Sequence, residues 1–127
     1  MRSPQNLPDP TDIAKPRIGI TIGDVAGIGP EIVLRSLKSD DALSKATPFL
    51  IGDLSYIREL SATMGLGHGF YDAELTSEQD DGSIAVFDRG KLGERPVLGT
   101  ESADTGRAAG ECIESAVDLW KTNRIDA

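Results

Sequence analysis

Apolar and polar positions along the chain alternate between two periods. Ile18-Gly19-Ile20 is a short apolar run that suits a buried strand, and Ile32-Val33-Leu34-Arg35-Ser36-Leu37 is amphipathic at helical spacing. Asp40-Asp41-Ala42-Leu43-Ser44 reads as a polar connection, and Thr47-Pro48-Phe49-Leu50-Ile51 as a second buried strand ended by Gly52-Asp53. Leu54, Ile57, Leu60 and Met64 then recur at helical spacing, and Gly65, Gly67 and Gly69 close that helix. Phe70 to Leu75 and Ile84-Ala85-Val86-Phe87 are weakly patterned and read as strands, with Glu78-Gln79-Asp80-Asp81-Gly82 a solvated loop between them. Residues 88–100 carry Gly90, Gly93, Pro96 and Gly99, which predicts an irregular connection. In the last helix Ala109, Cys112, Ile113, Ala116, Val117 and Trp120 fall at i, i+3, i+4, i+7, i+8 and i+11, one continuous apolar face. Strands alternating with helices predict an α/β layered fold, α/β/α, with a mainly parallel sheet.

Between the first strand and the first helix lies Thr21-Ile22-Gly23-Asp24-Val25-Ala26-Gly27-Ile28-Gly29-Pro30-Glu31-Ile32. Pro30 fits the first helical position, where its fixed φ is pre-set and its missing N–H would be unpaired anyway. Glu31 places an acid in the first turn, favoured by the helix dipole. The glycines run G-x-x-x-G-x-G, which fails the G-x-G-x-x-G dinucleotide fingerprint, and no Lys-Ser/Thr pair follows for a phosphate-binding P-loop. Asp24 and Glu31 would also repel a phosphate at the helix N-terminus. In parallel sheets ligands bind at the carboxyl ends of strands, where this turn must lie. Gly23, Asp24, Gly27 and Gly29 are therefore the candidate site-lining residues, with Glu31 behind them; spacing alone also allows a purely structural turn.

Other candidates weigh toward structure. Asp53 sits where a helix N-cap is needed, a reading that outweighs a ribose-binding acid once the glycine fingerprint has failed. His68, the single histidine, has no second His, Cys or acid at ligand spacing and reads as an exposed loop residue rather than a metal ligand or proton carrier. Cys112 lies on the apolar face of the last helix and reads as a small buried hydrophobe rather than a nucleophile. Ser102 is placed to cap that helix and Asp104 to meet its dipole. Gly106 and Gly110, four apart, suggest that a backbone or ligand passes closely, with packing on the sheet preferred. No metal ligands and no catalytic residue are assigned within this chain.

Composition narrows the class further. At 127 residues the chain suits one modest core, and thirteen basic against twenty-one acidic residues give a net charge of −8, unfavourable for nucleic acid or an anionic membrane. One cysteine forms no internal disulfide, which suits a reducing cytoplasm. No apolar run approaches the roughly 18 residues that span a bilayer. Residues 1–15 are rich in Pro and polar residues, lack the apolar stretch of a signal peptide, and read as a disordered tail ahead of a domain over 16–127.

The run Thr21 to Ile32 resembles the signature of the 4-hydroxythreonine-4-phosphate dehydrogenase family, usually written T-x-G-D-P-A-G-I-G-P-E, with Val25 where the family has Pro. A second patch, Gly99-Thr100-Glu101-Ser102-Ala103-Asp104-Thr105-Gly106-Arg107-Ala108-Ala109, resembles the family's Ser-x-x-x-Gly-x-x-Ala segment and the helix after it. The resemblance covers nearly the whole chain but less than half of a family member. It implies an isocitrate/isopropylmalate dehydrogenase-like fold, here incomplete, with Ile125-Asp126-Ala127 opening the next strand.

For the complete enzyme the resemblance implies oxidation by NAD of 4-phosphooxy-L-threonine in pyridoxal phosphate biosynthesis, followed by loss of carbon dioxide. It also implies a divalent metal, a homodimer and a small phosphorylated substrate. The histidines that bind the metal and the Lys of the family lie beyond Ala127, so the chain alone is expected to be inactive. Relatives of this fold act instead on phosphorylated sugar acids or aromatic dihydrodiols, and a catalytically inert α/β module is the remaining alternative.

Overall fold

The computed structural model describes residues 14–76 and 81–127; the expected tail falls outside them apart from Ala14 and Lys15, as do Glu78, Gln79 and Asp80 of the expected loop. The described residues hold four strands: β1 (Arg17–Thr21), β2 (Thr47–Gly52), β3 (Phe70–Asp72) and β4 (Ile84–Asp88). The helices are α1 (Gly29–Ser36), α2 (Asp40–Lys45), α3 (Leu54–Thr63) and α4 (Ala103–Lys121). The strands pair in the order β1-β2-β4-β3 and every pairing is parallel, with Ile20 beside Leu50 and Leu50 beside Val86.

Alternation along β2 and β4 sends successive side chains to opposite faces. Leu50 and Val86 point into a core shared with Leu34 of α1 and Leu54 and Ile57 of α3. Ile51 and Phe87 point the other way, into a cluster with Cys112 and Leu119 of α4 and with Ile125. Helices thus cover both faces, the arrangement in which parallel strands carry near-continuous apolar runs. The last residues run along the outer side of β1: Asp126 N–H donates to the Arg17 carbonyl at 2.8 Å and Gly19 N–H to the Ala127 carbonyl at 2.7 Å. Arg17 also holds the Asp126 carboxylate at 2.9 Å.

Several elements depart from the sequence reading. Asp40 to Ser44, expected as a polar connection, falls in a short helix, Asp40–Lys45, supported by the Lys45–Asp41 pair one turn apart. The strand expected over 70–75 stops at Asp72, whose side chain accepts the Glu74 amide and turns the chain. The apolar face of α4 is divided. Its buried stripe is Thr105, Ala108, Cys112 and Leu119, while Ile113, Val117 and Trp120 are 59%, 46% and 57% exposed.

Candidate functional site

The bend after β1 is built by a few local constraints. Gly23 takes φ +79°, a left-handed conformation that glycine adopts without strain. Asp24 Oδ1 then accepts the Ala26 N–H at 2.8 Å, and the Gly27 N–H bonds the Asp24 carbonyl at 3.0 Å, so the chain turns on the Asp24 side chain. Val25 and Ala26 are buried, and Val25 joins the core beneath the bend. At Gly29 an added Cβ would stand 2.9 Å from the Ile22 carbonyl oxygen, so the helix start passes the strand end too closely for any side chain. Pro30 follows in the first turn of α1, as its fixed φ predicts. The residue before the helix is Ile28, 71% exposed and without a capping side chain.

The neighbouring strand ends carry acids. Asp53, 7% exposed, accepts the Tyr56 N–H at Oδ1 (3.2 Å), which makes it the N-cap of α3, and the Leu92 N–H at Oδ2 (2.9 Å). Both oxygens are engaged by backbone, which leaves the ribose-binding alternative without support. Asp88, at the end of β4, accepts the Leu54 N–H at 3.0 Å and pairs with Lys91, whose ammonium pKa this carboxylate raises. Asp104 in the first turn of α4 accepts the Gly93 and Glu94 amides at 3.0 and 3.2 Å and meets Arg107 at 2.8 Å. The guanidinium, then those amides, hold the Asp104 carboxyl below its usual range. Ser102 and Thr105 form a capping box at the helix start.

These contacts bring the two sequence patches together. The Gly99 N–H donates to the Ala26 carbonyl at 2.8 Å, tying the segment before α4 to the middle of the glycine-rich bend. The Tyr56 hydroxyl lies 3.5 Å from the Val25 carbonyl, and burial followed by Glu31 raises its pKa. A cleft of about 210 Å³ opens beside this junction, lined by Asp53, Tyr56, Glu59, Leu92, Glu94 and Arg95. Gly23, Asp24, Gly27 and Gly29 do not line it; the bend and the cleft are linked through Tyr56, whose hydroxyl reaches the Val25 carbonyl. Glu31 sits behind the bend in the first turn of α1.

The sequence reading did not single out Tyr56, Asp88, Lys91 or Leu92. An acid closing each of two strands was a usable signal; the path of residues 89–99 back to the bend had none. His68 is half-buried rather than exposed, edge-on to Phe70, with its Nε2 buried and unpartnered; burial, then Lys38, lowers its pKa. Cys112 is 2% exposed and burial pushes its thiol up to about 11, the behaviour of a packing residue. Gly106 and Gly110 face open space, so the packing expected of them is not seen. Among the described residues no three His, Cys, Asp or Glu gather as a metal site, and no helix is long and apolar enough to cross a membrane.

A parallel sheet with helices on both faces and acids and glycines at its carboxyl ends defines part of an open-sheet α/β domain, a class in which ligands generally bind at the carboxyl ends of the strands. Over nearly its whole length the chain is similar to proteins named 4-hydroxythreonine-4-phosphate and D-threonate 4-phosphate dehydrogenases. It is 36% identical over 114 residues to the D-threonate 4-phosphate dehydrogenase of Cupriavidus necator, covering 88% of this chain and 34% of that protein. It is 34% identical over 117 residues to a protein of Oceanobacillus iheyensis provisionally given the same name, covering 89% and 35%. The crystal structure of a 4-hydroxythreonine-4-phosphate dehydrogenase from Burkholderia phymatum superposes with a TM-score of 0.78 at 31% identity, covering 88% and 34%. No family model matches the chain. The chain spans about a third of the length of these relatives.

Proposed function

We propose that the chain supplies one wall of the active site of an NAD-dependent dehydrogenase acting on a 4-phosphorylated, four-carbon 3-hydroxy acid. The observation that carries this reading is the Gly99 N–H···Ala26 carbonyl bond, which joins the two family-like patches at the rim where α/β sheets bind ligands. In this reading the bend from Gly23 to Gly29 presents backbone to the substrate, and Asp53, Asp88 and Asp104 keep the facing loop in place. Positioning of this kind is what a protein contributes when the cofactor carries the chemistry; bound NAD would accept the hydride from the substrate's alcohol carbon. Loss of carbon dioxide from the resulting β-keto acid would follow in both candidate substrates.

The residues of this chain do not fit the divalent metal that the family resemblance implies, since no cluster of three ligating side chains forms among the described residues. No step is therefore assigned to a metal here. The pathway, the homodimer and a cytoplasmic location rest on the resemblance, with the absence of a disulfide in keeping with the last.

The substrate named first, 4-phosphooxy-L-threonine, has an amino group at C2; D-threonate 4-phosphate has a hydroxyl there. The curated relatives bear the second name, which favours the phosphorylated sugar acid as the alternative substrate. Turnover tests both. The purified chain alone forms no NADH from either compound, whereas the Cupriavidus necator enzyme with its matching third replaced by this chain forms NADH from one of them. NADH from the chain alone, or a folded chimera inactive on both, overturns the reading.

A further inference from the structure

The turn before β4 holds Asp81-Gly82, the only place in the chain where an Asp or Asn precedes a Gly. Both residues are exposed. Gly82 stands at φ +83°, and a Cβ built on it would meet nothing within 4 Å. The Ser83 N–H donates to Asp81 Oδ1 at 2.9 Å. That bond closes a ring running from Cγ through Cβ, Cα and the carbonyl carbon of Asp81 to the Gly82 nitrogen. A cyclic imide joins these same atoms, so the carboxyl carbon is already folded toward the nitrogen that would attack it. Glycine places no side chain in the way of that approach. Among the described residues the Gly82 N–H has no hydrogen-bond partner.

We infer that Asp81-Gly82 is a site of spontaneous covalent modification, where the chain isomerises to isoaspartate and becomes a substrate for an S-adenosylmethionine-dependent carboxyl methyltransferase. The Gly82 nitrogen adds to Asp81 Cγ and gives up its proton. One carboxyl oxygen takes up protons and leaves as water, and a cyclic imide remains. Water then opens the imide. Attack at Cγ restores aspartate. Attack at the Asp81 main-chain carbonyl breaks its bond to the Gly82 nitrogen, so the chain runs through Cβ and Cγ and the α-carboxylate is set free. One water leaves and one returns, and no oxidant or cofactor is consumed. The freed α-carboxylate then attacks the methyl group of S-adenosylmethionine, forming a methyl ester and releasing S-adenosylhomocysteine.

Ser83 bears on the rate in two ways. Its N–H, already on Oδ1, meets the negative charge that gathers on this oxygen as the nitrogen adds. Its amide and then its hydroxyl also hold the Asp81 carboxyl below its usual range, so the protonated, more reactive form is scarce near neutrality and the product builds up slowly. The extra backbone methylene enters just before β4, where the Ile84 N–H donates to the Gly69 carbonyl at 2.9 Å and a Cβ on Gly69 would stand 2.8 Å from Ser83 Oγ. The Phe70–Ile84 register of β3 and β4 is therefore what loosens. This is the amino end of the sheet, opposite the glycine-rich bend, so the inference is independent of the dehydrogenase reading.

Ageing the purified chain at physiological temperature and pH tests it. Methyl transfer from labelled S-adenosylmethionine by isoaspartyl methyltransferase counts the product, and electron-transfer fragmentation of its peptides locates it. Methyl acceptance rises with time and maps to Asp81 ahead of every other aspartate. G82A sets a methyl beside the attacking nitrogen and D81E requires a larger ring; each lowers acceptance in this peptide at least about tenfold, with helix content by circular dichroism retained. The folded chain reacts no more slowly than the chain in guanidinium chloride, because the turn already brings Cγ to the nitrogen. No acceptance at Asp81, acceptance unchanged in G82A and D81E, or protection of the pair by folding overturns the inference.

Discussion

Replacing Asp53 by Ala removes two supports at once. The side chain is 7% exposed, caps α3 through the Tyr56 amide and holds the 92–99 segment through the Leu92 amide. Loss of an N-cap costs about 1 kcal/mol. A hydrogen bond to a charged group contributes about 1.5–3 kcal/mol, and truncation leaves the Leu92 N–H unpaired. The two share one side chain and do not add fully, so D53A should destabilise the chain by roughly 2–4 kcal/mol. D53N separates the parts: its amide oxygen still caps α3, but its NH₂ faces the Leu92 N–H, donor against donor, and only the loop support is lost. Urea unfolding gives the magnitudes, and amide hydrogen exchange locates them. Leu92 should lose protection in both variants and Tyr56 only in D53A. A D53A cost below about 0.5 kcal/mol, or a Leu92 amide still protected, would refute the assignment of Asp53 as the pin between sheet and loop.

Four further outcomes follow from local geometry. Gly90 sits at φ +60°, and a Cβ there would stand 2.6 Å from the Ala108 carbonyl oxygen and 2.7 Å from Cys112 Sγ; G90A should cost about 2–4 kcal/mol in thermal unfolding. G65A, at φ +67° with nothing within 4 Å, should cost only the conformational part, about 1–2 kcal/mol. The Arg17 guanidinium, followed by the Arg17 amide, lowers the Asp126 carboxyl to about 2. Because that folded value lies below the unfolded one, the attachment of the last residues to β1 is fully present above the unfolded pKa and is lost as pH falls through about 2, seen as NMR shifts at Arg17 and Gly19. Cys112, its thiol near 11, should resist thiol reagents at mildly alkaline pH and react only as the chain unfolds.

Much of the fold was legible because strand and helix periods are distinct here. Ile18–Ile20, Thr47–Ile51 and Ile84–Phe87 lie within observed strands, and Asp53 and Ser102 cap the helices that their positions announced. What escaped depends on distance in sequence. The α4 face was read as a single surface because Ile113, Val117 and Trp120 share the period of Cys112; only the sheet's position selects Thr105, Ala108 and Leu119 as the buried set. His68 looked exposed among glycines, yet the loop folds its ring against Phe70. The rim was legible in part: the bend lies at the strand end as expected, but the cleft beside it belongs to residues 53–59 and 92–96, brought there by side chain–backbone bonds with no local signal.

The central claim is that the bend and the segment before α4 form one ligand-facing wall. An NMR titration of the isotope-labelled chain with D-threonate 4-phosphate, 4-phosphooxy-L-threonine and NAD in turn tests it most directly. The account predicts saturable shifts, for at least one of the three, at Gly23, Asp24, Gly27 and Gly29 together with Gly99. Shifts confined to the opposite end of the sheet, or none with any of the three, would contradict it.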